Sequence, residues 1–313
     1  MAEQTRDNPN NSASHVMGLK EWLLIFLLSV IWGASFFFVE VAVKTMPPFT
    51  IVMYRVGFAA VILLGVVRFT GRRLPSSLKV WMGLLGLGAL NNVIPFSLIT
   101  WGQTVIDSSL ASILNAFAPV FSVILAHFLT KEEPLTPNRV IGVVFGWLGV
   151  AVLIGVDSVK GAGLQVAGQA AVLGASFLYA CAAIFARRFK SLDPVVVAAG
   201  MLTGSTLMMV PIALVLENPW TLEPTLLTWG ALLGLSAIST ALAYIIYFYV
   251  LAKAGATNIL LVTFLIPISA IFLGVVVLGE SPGWNAFAGM IMIFIGLSAI
   301  DGRIIKMFKK SEE

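Results

Sequence analysis

Long apolar runs separated by short polar punctuation make up almost the whole of this chain. A bilayer core takes about 20 apolar residues per helix. Runs of that length fall at Trp22–Val43, Phe49–Phe69, Val80–Gln103, Ser108–Thr130 and Arg139–Val156. After a Gly-containing break they resume at Leu164–Phe189, Pro194–Leu216, Leu226–Leu251, Ala254–Gly279 and Trp284–Ile300. The connections (KTMPP, TVID, KEEPLTPN, KSLD, ESPG) place Pro and Gly where helices should stop. The pattern predicts an all-α polytopic membrane protein with ten transmembrane helices and no space between them for a soluble domain.

The pattern is also written twice. LLGLGAL at 84–90 returns as LLGLSAI at 232–238. In the same register Phe96 meets Tyr244, Pro119 meets Pro267 and Glu132 meets Glu280. The polar interruptions recur as well, with Asn91 over Ser239, Asn92 over Thr240 and Asn115 over Thr263. One gap later Gly142 and Gly149 fall on Gly289 and Gly296. Composition alone does not reproduce prolines, a terminal acid and polar positions in one register. The expected organisation is a disordered polar tail (1–19), two five-helix units (20–156 and 164–302) and a basic tail (303–313).

Composition changes the picture in one respect: the solvent. Of 313 residues, 59% are hydrophobic and 11% charged, whereas a soluble domain carries about 25% charge. The net charge of +4 is therefore read by position, and not as a sign of nucleic-acid binding. With the N-terminus in the cytoplasm, Arg6, Lys20, Arg68, Arg72, Arg73, Lys79, Lys131 and Arg139 lie on the cytoplasmic side. So do Arg187, Arg188, Lys190, Lys253, Arg303, Lys306, Lys309 and Lys310. Lys44 and Lys160 lie on the other side, and Arg55 lies within a span. This asymmetry places both termini in the cytoplasm of a multi-pass inner-membrane protein. Five helices per unit is odd, so the second unit enters from the opposite face and the units form an inverted repeat. Such repeats are the architecture of many secondary transporters, with the substrate near the midplane at the repeat interface.

Two stretches, WGASFFFVEVAVKTMPPF with Arg55 and NNVIPFSLITWGQ with SSLASILNAFAPVFSVILAHFLTKE, resemble the drug/metabolite transporter superfamily in its ten-helix EamA-like branch. The resemblance spans residues 20 to about 302. It implies a central cavity lined mainly by helices 1, 3, 4, 6, 8 and 9, with helices 5 and 10 packed away from it. It also implies small-metabolite cargo such as amino acids, nucleotide-derived compounds or polyamines.

The residues themselves nominate the site. Helix 3 sets Asn92, Phe96, Thr100 and Gln103 on one face, with Asn91 beside it. Helix 8 sets Thr240, Tyr244 and Tyr247 in the matching register. A polar stripe in hydrocarbon turns away from lipid, toward a wet cavity or toward another helix as an interhelical hydrogen bond. Helix 1 adds Trp32 and Phe36, its counterpart adds Tyr179, and Asn115 and Thr263 complete the expected cavity. Glu40 and Arg55 lie about 5 Å and about 10 Å from the outer ends of consecutive antiparallel helices. Ionisable groups within a span are functional candidates, so this pair is read as a gate or proton-coupling element, or else as a permanent structural pair. Pro119 and Pro267 are expected to bend both units alike and to serve as hinges. Trp22, Trp81 and Trp284 read as interfacial anchors, His127 as a polar cap, and the glycines as close-packing positions.

No phosphate-binding loop, metal-spaced His/Cys/acid cluster or nucleophile elbow is present. No cofactor and no enzymatic activity are therefore expected. The reading is a secondary transporter of a small organic, amino-acid-like metabolite, working by alternating access as an exporter or exchanger, with protons as one coupling candidate. A proton-coupled organic-cation exporter and a structural or sensing membrane protein are the alternatives. A fused ten-helix chain can complete its own cavity, so a monomer or a weak homodimer is expected.

Overall fold

In the computed structural model, which describes residues 18–129, 136–155, 163–254, 256–259 and 261–301, ten helices are long and apolar enough to cross a bilayer. They are α1 (Leu19–Ala42), α2 (Pro48–Phe69), α3 (Leu78–Gly102), α4 (Ser108–Leu129) and α5 (Pro137–Ile154). The second set is α6 (Leu164–Phe189), α7 (Pro194–Leu216), α8 (Leu226–Lys253), α9 (Leu261–Leu278) and α10 (Trp284–Asp301). No strand occurs among the described residues. The expected N-terminal tail up to residue 17 and the whole of the basic tail lie outside the described residues, as does the segment holding Lys131 and Glu132.

The helix starts follow local chemistry. Pro48, Pro137 and Pro194 occupy first-turn positions, where a missing N–H costs nothing. Asp193 and Thr225 cap α7 and α8, accepting from Val195 N at 2.8 Å and Thr228 N at 3.2 Å. Helix α1 begins three residues before the expected Trp22. Its polar first turn is held by Glu21, which accepts from Gly18 N at 2.9 Å. Ala256–Ile259, ahead of the described α9, are helical as well, within the span expected from residue 254.

The bundle is apolar outside and carries its polar groups within. Val61, Phe69, Leu148, Leu226 and Val276 are exposed, whereas Ser29, Arg55, Asn92, Thr100, Gln103 and Thr240 are buried. Exposed apolar surface on this scale belongs against lipid. The main core joins residues of α1, α3, α4, α5, α6, α8, α9 and α10. A second core joins α2, α3, α7 and α8. Helix α2 packs along α7 and α8, whereas α1 packs along α9 and α8.

Helices α5 and α10 pack antiparallel on glycine. A methyl group on Gly149 would come within 2.8 Å of Gly289 O, and one on Gly289 within 2.7 Å of Gly149 O. Gly142 and Gly296 make the same reciprocal approach one level along. Small residues are what let two backbones come this close.

Both halves leave regular α-helix at the same place. α3 contains a π-helical stretch at Ala89–Val93, and α8 contains one at Gly234–Leu242. Shifted by the repeat register, the first falls inside the second. The two prolines, in contrast, do not act alike. α4 breaks at 116–117, just before Pro119, while α9 continues unbroken through Pro267. The expectation of equal bends is corrected here. At Pro119 the carbonyl of Asn115 loses its helical donor and lies 3.3 Å from Ser176 Oγ on α6, which is 3.0 Å from Leu114 O. That hydroxyl gives the break a partner on a neighbouring helix.

Candidate functional site

At the centre of the second core, α2, α3, α7 and α8 bring polar side chains into one network. Asn91 Nδ2 donates to the Tyr244 hydroxyl at 2.8 Å, and that hydroxyl donates to Asn92 Oδ1 at 3.2 Å. Asn92 Nδ2 donates in turn to Ser205 Oγ at 3.0 Å. Two consecutive residues of one α-helix point about 100° apart, which works against sharing a partner. The π-helical stretch holding Asn91 and Asn92 changes that spacing, and π-bulges recur at functional sites.

Arg55 enters the same region from α2. Its guanidinium stacks on the Phe96 ring, 3.5 Å from the centroid, an arrangement favourable to a cation. Its Nε donates to Thr240 Oγ1 at 3.1 Å. Thr240 passes its own hydrogen to Leu235 O at 2.8 Å, five residues back within the π-helical stretch of α8. Tyr179 on α6 and Tyr244 lie within electrostatic reach of the charge. Tyr179 also packs against both main cores.

The remaining predicted residues divide by surroundings. Trp32 and Tyr247 form a tilted ring pair with centroids 5.6 Å apart. Phe36 is buried in the main core. Thr100 Oγ1 and Asn115 Oδ1 are buried with no hydrogen-bond partner among the described residues. Thr263 is half-buried on α9. None of these six has a hydrogen bond to the Arg55–Tyr244 network among the described residues.

Glu40 and Arg55 do not pair. Glu40 sits at the other end of the site, where Gln103 Nε2 approaches it at 3.4 Å and donates to Phe36 O at 2.9 Å. The reason is helix packing. Consecutive α1 and α2 each pack on other helices, so being next to each other in sequence does not bring their side chains together. His127 is exposed. Trp81 spends its N–H on Pro75 O at 2.8 Å, tying the 70–77 loop.

Two acids that sequence reasoning did not nominate hold one end of the bundle together. The Glu280 carboxylate, just beyond α9, accepts from Ser108 N at 2.9 Å and Ser108 Oγ at 2.6 Å. It also accepts from Ser109 N at 3.0 Å and from the Ser109 hydroxyl. It thus caps the start of α4, where free N–H groups and the helix dipole favour an anion. Glu217 does the same for α2, accepting from Phe49 N at 3.0 Å and Thr50 N at 2.6 Å. Asp107 lies beside Glu280, and burial followed by that neighbouring charge pushes its carboxyl above the usual range. At the other end Arg72 pairs with Asp193 at 2.8 Å. The one trace of the Glu280 clasp in the sequence is that Glu280 repeats Glu132. No group of His, Cys, Asp and Glu suited to a metal occurs among the described residues.

Comparison with known proteins agrees with this architecture. A solved structure with TM-score 0.66 and 19% identity covers 90% of this chain and 97% of its own, a likeness of fold. Probable amino-acid metabolite efflux pumps of Salmonella typhimurium and Escherichia coli are 26% and 25% identical over 90% of this chain and 94% of their own lengths. An uncharacterized transporter of Archaeoglobus fulgidus is 25% identical over 90% of this chain and 97% of its own. The EamA-like transporter family matches twice, over residues 19–155 and 166–300, and the chain belongs to that family.

Proposed function

We propose that this transporter moves a small organic, amino-acid-like metabolite across the cytoplasmic membrane by alternating access, as an exporter or exchanger. One observation carries the reading: a hydrogen-bonded polar network buried in an otherwise apolar bundle, between the two family-matched halves. Asn91, Asn92 and Arg55 come from the first half, and Ser205, Thr240 and Tyr244 from the second. Groups drawn from two moving halves can be separated and rejoined as the halves rock. The names of the Salmonella and Escherichia relatives support amino-acid-like cargo and outward direction.

An inverted repeat is supported by the α5–α10 contact. Gly142 and Gly149 are the repeat equivalents of Gly289 and Gly296, and their close approaches are reciprocal, as two-fold symmetry requires. Basic residues concentrated at the Arg72 end support a cytoplasmic location for that end. In this scheme Glu280 seals the opposite mouth of the pathway. The organic-cation alternative fits less well, because none of the groups in the central network is acidic.

The test is flux of labelled amino acids and other metabolites into proteoliposomes holding the purified protein, with and without a pH gradient. Flux through the native protein, lost in Asn92→Ala and Tyr244→Ala, is the expected result. Normal flux in both variants would overturn the site.

A further inference from the structure

We infer that Arg55 is the anion-recognition residue of this site and that the cargo is a small monocarboxylate, an inference that rests on the transport reading above. The guanidinium is 6% exposed and permanently charged. A buried charge normally has a counter-charge. No carboxylate lies within ion-pairing distance of Arg55 among the described residues. Three acids of the bundle have partners elsewhere: Glu40 faces Gln103, Glu217 caps α2, and Glu280 caps α4.

The group is nevertheless held in place. Phe96 covers one face and Thr240 takes Nε. Thr240 is itself oriented by Leu235 O. Of five N–H donors on a guanidinium, those on the two Nη nitrogens have no partner among the described residues. The surrounding polar groups spend their hydrogens on one another, from Asn91 to Tyr244 to Asn92. What remains unsatisfied is a fixed, planar fork of donors. That is the geometry for two-point recognition of a carboxylate.

The charge count favours a single negative charge. Among the described residues Arg55 is the one basic residue in the interior of a span, the others lying at helix ends or in loops. A dianionic phosphate would leave net negative charge in a low-dielectric interior. The Phe96 ring beside the fork suits an apolar or aromatic remainder of the solute. The competing account is that Arg55 is a structural strut joining α2 to α8 through Thr240.

Binding to the purified protein and counterflow in proteoliposomes test this with a matched series: phenylalanine, phenylpyruvate, phenylalanine amide and phenethylamine. The first two carry a carboxylate, and the last two do not. The native protein is expected to bind and exchange at least one carboxylate, with affinity falling at least tenfold for both analogues that lack it. Arg55→Gln is expected to lose that discrimination, and Arg55→Lys to retain part of it. Arg55→Met reads the structural account without any ligand. Removing an uncompensated charge should leave the Tm of the ligand-free protein unchanged or raise it. A lower Tm for Arg55→Met, equal binding of the amide, or native carboxylate affinity in Arg55→Gln would each overturn the inference. So would a native protein that binds neither carboxylate. Counterflow of the amine or amide alone would overturn the carboxylate and leave transport standing. Carboxylate binding with no flux of any compound would do the reverse.

Discussion

Replacing Glu280 by alanine should loosen the end of the bundle where α9 meets α4. The carboxylate accepts from two backbone N–H groups and two hydroxyls at the start of α4. Losing an N-terminal cap costs ~1 kcal/mol, and losing the dipole interaction costs ~0.3–1 kcal/mol more. A hydrogen bond to a charged group contributes ~1.5–3 kcal/mol, but the serine hydroxyls can turn to water, so the four bonds do not add. Relief of the repulsion from Asp107 offsets part of the loss. We take ~2 kcal/mol as the net effect, about a 30-fold change in the opening equilibrium at 1.4 kcal/mol per decade.

Ser112 reports on that opening. It lies one turn below Ser109, is fully buried, and bonds to Ser109 O at 2.7 Å. In a Cys181→Ser background, a cysteine introduced by Ser112→Cys should react slowly with a hydrophilic thiol reagent in nanodiscs. Adding Glu280→Ala should raise the rate at least tenfold, with Glu280→Gln in between because its amide still accepts. An unchanged rate in a well-folded Glu280→Ala protein would refute the clasp.

Three further outcomes follow from other parts of the bundle. Gly289→Ala should lower the Tm through overpacking of ~1–3 kcal/mol, since its methyl group meets Gly149 O and Leu153. Gly230→Ala, with nothing within 4 Å of the new methyl, should raise the Tm by removing a helix-interior glycine worth ~1 kcal/mol; differential scanning fluorimetry reads both. The Asp193 carboxyl is partly buried, which works against its charge, but the Arg72 hydrogen bond and the cap of α7 hold it below its ordinary range. Its contribution is therefore full above the ordinary carboxylate value and is lost as pH falls through the lowered one. The pair is about 40% exposed, so the effect is at most ~1 kcal/mol. A Tm titration from pH 7 to pH 2 should show it, and Arg72→Gln should reduce it.

The ten spans were legible because bilayer thickness imposes a length that the apolar runs display directly. The stripe Asn92, Phe96, Thr100 and Gln103 was legible for a related reason: all four are buried, and helical period marks a buried face. The partner of Arg55 was not legible. Sequence adjacency of α1 and α2 suggested Glu40, but partner choice depends on which helices pack, and α2 packs on α7 and α8. Thr240 therefore takes the position that Glu40 was expected to fill. Ser205 and the caps Glu217 and Glu280 escaped notice because each acts across more than a hundred residues of chain. The unequal behaviour of Pro119 and Pro267 depends on Ser176, a neighbour that no local pattern announces.

The paired π-helical stretches mark one position in both halves. A π turn hydrogen-bonds one residue further along than the α-helix around it, so each stretch sets its side chains off the α-helical period. Both halves carry the departure at the same repeat position, Ala89–Val93 inside the frame of Gly234–Leu242, so the two halves present their central polar side chains by the same local device. Deleting one residue within 89–93 would close the wide turn while the helix on either side keeps its faces, so the change would fall on Asn91 and Asn92 themselves.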